Sequence, residues 1–412
     1  MLSRVLNSKE SKKLAANFFS LLVLRGFQFL IPLLTFPYLV RVIGMEKFGL
    51  INFALSLSIF LGAIVQFGFG ITVARDIARN RENLIEVEKI YSASMVAGVF
   101  LAVACTVPFA LVVFSFDRFN DDFVLYFLAF VFVMFQSLFP EWFFRGVEEM
   151  KYIAVLSLSA NALFLVSIWI FVRQEGDYLL VPFLNAISAF LIYLFSIFII
   201  RFQFGVRFSW PGFKKVGCLY KSSSHAFIAQ FSPNLYNNAS IFLLGLFHGA
   251  SVVGAYTAAT KIIDAVVSLG YVLANTFLPY LSRNIKAHGG FQKIMLCTGI
   301  GLSVLVFFGA EVLSEVFFGL DNKDVYLYIK WLAVAVVLGF IYLTYSSNYL
   351  MISGHERLAR NIALYISVIA LFYTLAMIYF FGIYGAIGSL LLSRGALSMC
   401  SFFFYKKVCA KC

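Results

Sequence analysis

Three basic side chains, Arg25, Lys261 and Arg394, interrupt long apolar runs in this 412-residue sequence. A charge at mid-bilayer depth costs about 2.5–3.5 kcal/mol on insertion scales, so three cations facing lipid would cost on the order of 8–10 kcal/mol. Such groups belong against a wet interior. Polar neighbours follow helical spacing. Arg25, Gln28, Pro32 and Thr35 share one face, and Thr257, Lys261, Asp264, Ser268 and Asn275 share another. Ser389 and Ser393 precede Arg394, while Asn52, Ser56 and Gln66 in one run and Gln230, Asn234, Asn237 and Asn238 in another supply further amides and hydroxyls. The candidate substrate-binding residues are therefore Arg25, Gln28, Asn52, Asn234, Asn237, Lys261 and Arg394, with Asp264 as a candidate for ion coupling. A structural reading stands beside this: Lys261 and Asp264, three residues apart, could simply pair, and the amides could hold helices together.

Other chemistries find no residues. There is no Walker A loop, no H-E-x-x-H and no TVGYG-type filter. Six cysteines stand at 105, 218, 297, 400, 409 and 412, and the tail CAKC is a single C-x-x-C without the second pair that a zinc site wants. The outer connections are about eight residues or fewer and the longest inner ones about 15–20, too short to build an extramembrane active site. The expectation is no catalytic residue, no metal and no cofactor: a transporter, not an enzyme. It would be either a flippase for a large lipid-linked anion or an antiporter for small amphiphiles.

The elements that must position these residues are membrane helices. Hydrophobic residues make up 62% of the chain and charged ones 13%, with mean hydropathy +0.91, against about 45–50% and about 25% in soluble domains. Apolar runs fall at about 15–40, 48–73, 90–114, 123–139, 154–172, 178–200, 222–246, 252–281, 294–318, 326–350, 362–381 and 385–404. A span needs about 20 apolar residues, and in lipid only helices or closed barrels satisfy the backbone. Barrel strands are short and alternate; these runs are continuous. With the N-terminus in the cytoplasm, 23 Lys and Arg lie on the inner side and six on the outer. The positive-inside rule thus places both termini in the cytoplasm, and the net charge of +12 is a topology signal with no nucleic-acid partner implied.

Two segments repeat. FGLINFALS (48–56) aligns with VGAYTAATK (253–261), superposing Gly49 on Gly254 and Ala54 on Ala259. GVEEMKYIA (146–154) aligns with GHERLARNIA (354–363), superposing Gly146 on Gly354 and Glu148 on Glu356. The offsets, 205 and 208–209, predict an all-α polytopic protein of about twelve transmembrane helices in two six-helix bundles, 1–205 and 206–412, related as a parallel repeat. Gly49 and Gly254 would permit a tight turn or close helix approach. Pro37 would end or kink the first span, and Arg41 would snorkel to the interface. The three mid-span cations have no charged counterparts across the repeat; the halves share scaffold and differ in charge. The polar stripes could line a positively biased cavity between them.

The motifs LTFPYLVRVIGMEKFGLINFA (34–54), FPEWFFRGVEEMKYIAVLS (139–157) and the run from 243 to 262 ending VGAYTAATKI carry a family resemblance. The chain resembles the O-antigen repeat-unit flippases within the multidrug/oligosaccharidyl-lipid/polysaccharide exporter superfamily, and it departs at Arg145, where glutamine is expected. The resemblance implies a MATE-like fold in the bacterial inner (cytoplasmic) membrane. It also implies alternating access and a role in O-antigen and lipopolysaccharide biosynthesis. The implied substrate is an undecaprenyl-pyrophosphate-linked oligosaccharide moved to the periplasmic leaflet. Membrane lipids, an O-antigen polymerase and a chain-length regulator are the implied partners; a multidrug or small-cation antiporter of the same superfamily is the alternative.

The topology is testable with reporters. Alkaline phosphatase inserted after Lys47 should be active and after Gln203 inactive, and a fluorescent protein fused at the C-terminus should fluoresce. Phosphatase activity at both insertions would refute the orientation.

Overall fold

The computed structural model describes the backbone of residues 9–319 and 324–409, and side chains from Ile31 onward except at 32, 33, 118, 229, 232–237, 279 and 286. Among the described residues the chain is helical with no strand. The principal helices are α1 (Lys9–Gln66), α2 (Phe69–Asn80), α3 (Leu84–Ser115), α4 (Phe123–Leu138), α5 (Glu141–Gly146), α6 (Met150–Phe171), α7 (Leu180–Phe202), α8 (Phe213–His248), α9 (Ala250–Arg283), α10 (His288–Phe318), α11 (Asp324–Leu350) and α12 (Glu356–Cys409).

Among the described residues nine stretches are long and apolar enough to cross a membrane. Two contain a backbone break: Gly44 in α1 (φ 79°, ψ 164°) and Gly382 in α12 (φ 57°, ψ −129°). A straight 54-residue helix, the length of α12, would run about 80 Å, far beyond a bilayer core of about 30 Å. Glycine at Gly382 turns it instead, because positive φ is open to glycine at no steric cost. The helix surfaces suit lipid. Phe100, Val103, Val107, Leu111 and Phe114 recur on one face of α3 and are all exposed.

By packing, the chain divides into two compact units. The first gathers Leu57–Phe231 with the chain up to Ile31; the second gathers Pro32–Ser56 with Ser232–Cys412. A division at 205/206 follows the repeat, whereas the packing assigns parts of both α1 and α8 to each unit. The core of the first unit is aromatic: Tyr91, Trp142, Phe143 and Phe144 pack with Phe69, Val73 and Ile77. In the second, Tyr349, Leu350, Ala359, Ile362 and Leu397 form a buried cluster.

The repeat explains the glycines. Gly44 and Gly249, 205 residues apart, share an extended left-sided geometry (φ 79°, ψ 164° and φ 98°, ψ 171°). The break in α1 thus falls at Gly44 and not at Pro37, which stays inside the helix; Gly reaches this φ and proline cannot. Gly49 serves close approach and not a turn. A Cβ there would overlap the carbonyl oxygen of Ala250 and lie 2.6 Å from the amide nitrogen of Gly254, while a Cβ on Gly254 would overlap the carbonyl oxygen of Met45. The two glycines equated in sequence thus seat one helix against the other. Arg41 is exposed, and its guanidinium donates to the carbonyl of Val316, one of the orphan acceptors in the last turn of α10.

Gly49→Val or Gly254→Val should lower the unfolding midpoint in detergent clearly, since overpacking a tight contact typically costs about 1–3 kcal/mol. Gly301→Val, where nothing lies within 4 Å of a new Cβ, should change it little. Equal shifts at all three would contradict the close-approach reading.

Candidate functional site

Arg25 and Gln28 lie on α1, and Asn234 and Asn237 on α8; their side chains fall outside the described residues. Asn52, Lys261, Asp264 and Arg394 all belong to the second unit. Asn52 turns its amide onto its own helix, Nδ2 donating to the carbonyl of Phe48 at 2.8 Å. Lys261 on α9 is exposed, its Nζ 5.1 Å from the centre of the Phe36 ring, a cation–π distance. Asp264 lies one turn further along α9 and accepts from Arg394 on α12, Nη2 to Oδ1 2.7 Å. Helical spacing suggested an intrahelical pair with Lys261; the ion pair in the structure joins two helices instead. The arginine side chain is 18% exposed and the aspartate 48%, so the pair lies at the edge of the interior. Sequence reasoning treated Arg394 as a cation facing water. Its charge is in fact largely balanced by Asp264, and Lys261 is the more accessible of these two cations.

Other polar residues of these stripes are used locally. Ser389 and Ser393 donate to carbonyls one turn back, at 2.9 and 2.7 Å, and Tyr373 shares a 2.6 Å hydrogen bond with Ser393. In the first unit Gln230 donates to Gln66 across helices at 3.2 Å, the helix-joining role its position allowed. Among the described residues no group of three His, Cys, Asp or Glu is placed to hold a metal ion.

The first unit also contains a polar site that sequence reasoning missed. A cavity of about 140 Å³ opens among α4, α6 and α7, lined by Gln136, Ser157, Asn161, Asn185 and Ser188 together with aromatic rings. A second cavity of about 100 Å³ shares Gln136 and Phe139 with it and continues to Gln66, Gln230 and the ion-paired Glu141 and Arg145. A signal existed: Ser157, Asn161 and Phe164 follow i, i+4, i+7, and Asn185, Ser188 and Ile192 follow i, i+3, i+7. A search for charge passes over such neutral stripes.

These features sit in a recognised family. The pattern defining the polysaccharide biosynthesis proteins matches residues 14–285. The chain belongs to that family. It is 24% identical over 326 residues to a protein of Escherichia coli (strain K12) named "Putative O-antigen transporter", covering 77% of this chain and 79% of that one. A protein of the same name from Shigella dysenteriae is 22% identical over 387 residues, 92% and 96% of the two chains. Among solved structures, the inward-facing conformation of a multidrug resistance MATE family transporter of the MOP superfamily superposes with a TM-score of 0.70 at 15% identity, covering 92% of this chain and 95% of that one. This polysaccharide biosynthesis protein is thus a multi-pass membrane protein with a MATE-type fold.

The residues that carry the family resemblance mainly serve packing. Trp142, Phe143 and Phe144 are buried, and a Cβ on Gly146 would come within 2.7 Å of the Ile77 side chain and 2.9 Å of the Ala74 carbonyl oxygen. Arg145, which departs from the expected glutamine, pairs with Glu141 one turn back, Nε to Oε1 3.1 Å. Glu148 adopts φ 59° and pairs with Arg81 at 2.7 Å.

The Asp264–Arg394 pair makes a stability prediction. Exposed pairs are worth about 0–1 kcal/mol, and breaking a buried one costs about 3–5 kcal/mol because a charge is stranded. This half-buried pair should fall between. Asp264→Asn should lower the unfolding midpoint, and the double variant Asp264→Asn, Arg394→Gln should recover part of the loss. With Arg394→Gln measured as well, a double variant whose loss equals the sum of the two single losses would show that the pair adds nothing beyond its separate members.

Proposed function

We propose that the protein is a flippase in the bacterial inner membrane. It carries an undecaprenyl-pyrophosphate-linked O-antigen repeat unit from the cytoplasmic to the periplasmic leaflet by alternating access, through twelve spans with both termini cytoplasmic. Unsatisfied polar groups cost several kcal/mol each in hydrocarbon; a glycan pyrophosphate therefore needs a polar path, while the prenyl tail can stay in lipid. The observation that carries the reading is the chemistry of the membrane-embedded polar residues: cations and neutral amides, with Asp264, the carboxylate expected to couple ions, held by Arg394. Arg25, Lys261 and Arg394 would attract the pyrophosphate, and Gln28, Asn52, Asn234 and Asn237 would meet sugar hydroxyls. Membership of the polysaccharide biosynthesis family supports the substrate class, as do the names of the two bacterial relatives. An O-antigen polymerase and a chain-length regulator would act on the product.

The fold neighbour named as a multidrug transporter favours a second reading, efflux of small cations. A cation substrate calls for an available embedded carboxylate, and the pairing of Asp264 weighs against it. Ion coupling through Asp264 would require the Arg394 pair to open.

Deleting the gene should abolish or strongly reduce the dependent surface polysaccharide. The wild-type gene should restore it, and Arg25→Ala should not. In reconstituted vesicles an inside-negative potential should speed outward movement of the anion, the field contributing about 2.3 kcal/mol per charge per 100 mV. Unchanged polysaccharide in the deletion strain would overturn the proposal, as would a transport rate indifferent to the sign of the potential.

A further inference from the structure

We infer that the cavity among α4, α6 and α7 is a binding subsite for one uncharged sugar ring of the translocated glycan; this deepens the proposed function and rests on it. The cavity lies entirely within the first compact unit. Asn161 stands midway along the 22-residue α6, which at 1.5 Å per residue spans about 33 Å. Side chains at that depth either bond across helices or line a wet path, and here the amides of three helices border one opening.

The lining selects its ligand by chemistry. Gln136, Asn161 and Asn185 each present a carbonyl acceptor and an NH₂ donor, and Ser157 and Ser188 each present a hydroxyl that does both. No titratable side chain is among the residues lining the cavity. It therefore offers no countercharge to a cation or a phosphate, and it matches a ligand whose groups both donate and accept, a polyol. Phe132, Phe139 and Phe164 add flat apolar faces, which suit the C–H faces of a pyranose. Size narrows the class further. Pockets for drug-sized molecules run to about 300–1,000 Å³. A cavity of about 140 Å³ is too small for one and suits a single ring.

The adjoining cavity extends the same track. Gln136 and Phe139 belong to both, and beyond them come the Gln66–Gln230 amide pair and the Glu141–Arg145 ion pair. Charge occurs at that end already balanced. The track offers hydrogen bonds along its length without a net charge to trap the ligand.

The test uses photo-crosslinking on the full-length protein in nanodiscs. The probes are diazirine-bearing hexosides and N-acetylhexosaminides, with a diazirine-bearing quaternary ammonium of similar size for comparison. The neutral glycosides should label peptides containing 132–139, 157–164 and 185–192. Excess methyl glucoside should suppress that labelling and excess choline should not, a comparison needing no variant. The double variant Asn161→Leu, Asn185→Leu should reduce labelling about tenfold, and Thr106→Val, a hydroxyl on α3 outside the cavity, should leave it unchanged. Equal labelling by the ammonium probe would overturn the inference, and so would glycoside labelling that methyl glucoside fails to suppress. The outcome is separable from the flippase reading. If the deletion strain keeps its surface polysaccharide while the cavity still takes neutral glycosides, the proposed substrate fails and the sugar site stands. If the deletion phenotype appears and no labelling does, the flippase reading stands and this subsite falls.

Discussion

A polar group inside a bilayer must find a partner or keep its water, and the architecture of this protein follows from how each one does so. The backbone solves the problem by helix formation in the long apolar stretches, leaving irregular backbone to the connections between them. Many side chains solve it locally. Serines and threonines donate to carbonyls one turn back, as Ser393 does to Ser389 and Thr344 to Phe340 at 2.7 Å. Others solve it across helices: Asn348 on the π-helical turn of α11 donates to the carbonyl of Ala274 on α9 at 2.7 Å, and Asp264 meets Arg394. Such bonds fix helix pairs. The amides and hydroxyls around the α4–α6–α7 cavity face an opening instead, and that difference separates a lining from a fastening.

Glycine supplies the complementary constraint. Lipid gives helices no hydrophobic reason to associate, so close packing of backbones has to do that work. Gly49 against Ala250 and Gly254 against Met45 bring two backbones together where any side chain would hold them apart. Because the two glycines are repeat equivalents, one sequence motif present twice makes both sides of the contact. Gly44 and Gly249 open the same two helices with nearly the same dihedral angles. The two stretches that align in sequence thus share a backbone geometry.

The membrane helices were legible in the sequence because length and hydropathy are one-dimensional signatures, and the fixed offset pointed to Gly49 and Gly254, which the structure brings into close approach. The true break at Gly44 was displaced from the expected one at Pro37 because hydropathy does not report the sign of φ. Partner identity was not legible. Spacing put Lys261 and Asp264 on one face and was correct about the face, but the nearest cation to Asp264 comes from Arg394, 130 residues away. For the same reason the neutral cavity stayed hidden. Its five polar residues come from three helices, each a weak stripe alone, and only packing assembles them.

A flippase must release what it binds, and that requirement argues for dividing recognition between strong and weak contacts. A charge-assisted hydrogen bond to a phosphate is roughly twice as strong as a neutral one, and a site built only of cations would hold its ligand on either side of the membrane. Neutral amides and hydroxyls exchange with water at a net value of about 0.5–1.5 kcal/mol per bond, enough to replace lost hydration and too little to trap a sugar. The structure contains the means for tempering the strong contacts as well. Asp264 beside Arg394 and Glu141 beside Arg145 each offer a carboxylate that competes with an incoming anion for the guanidinium. An anion that displaces the carboxylate exchanges one ion pair for another, so attraction is retained and its depth reduced. Lys261, one turn from Asp264 on the same helix, rests instead over the ring of Phe36, so the two cations of this unit are balanced in different ways.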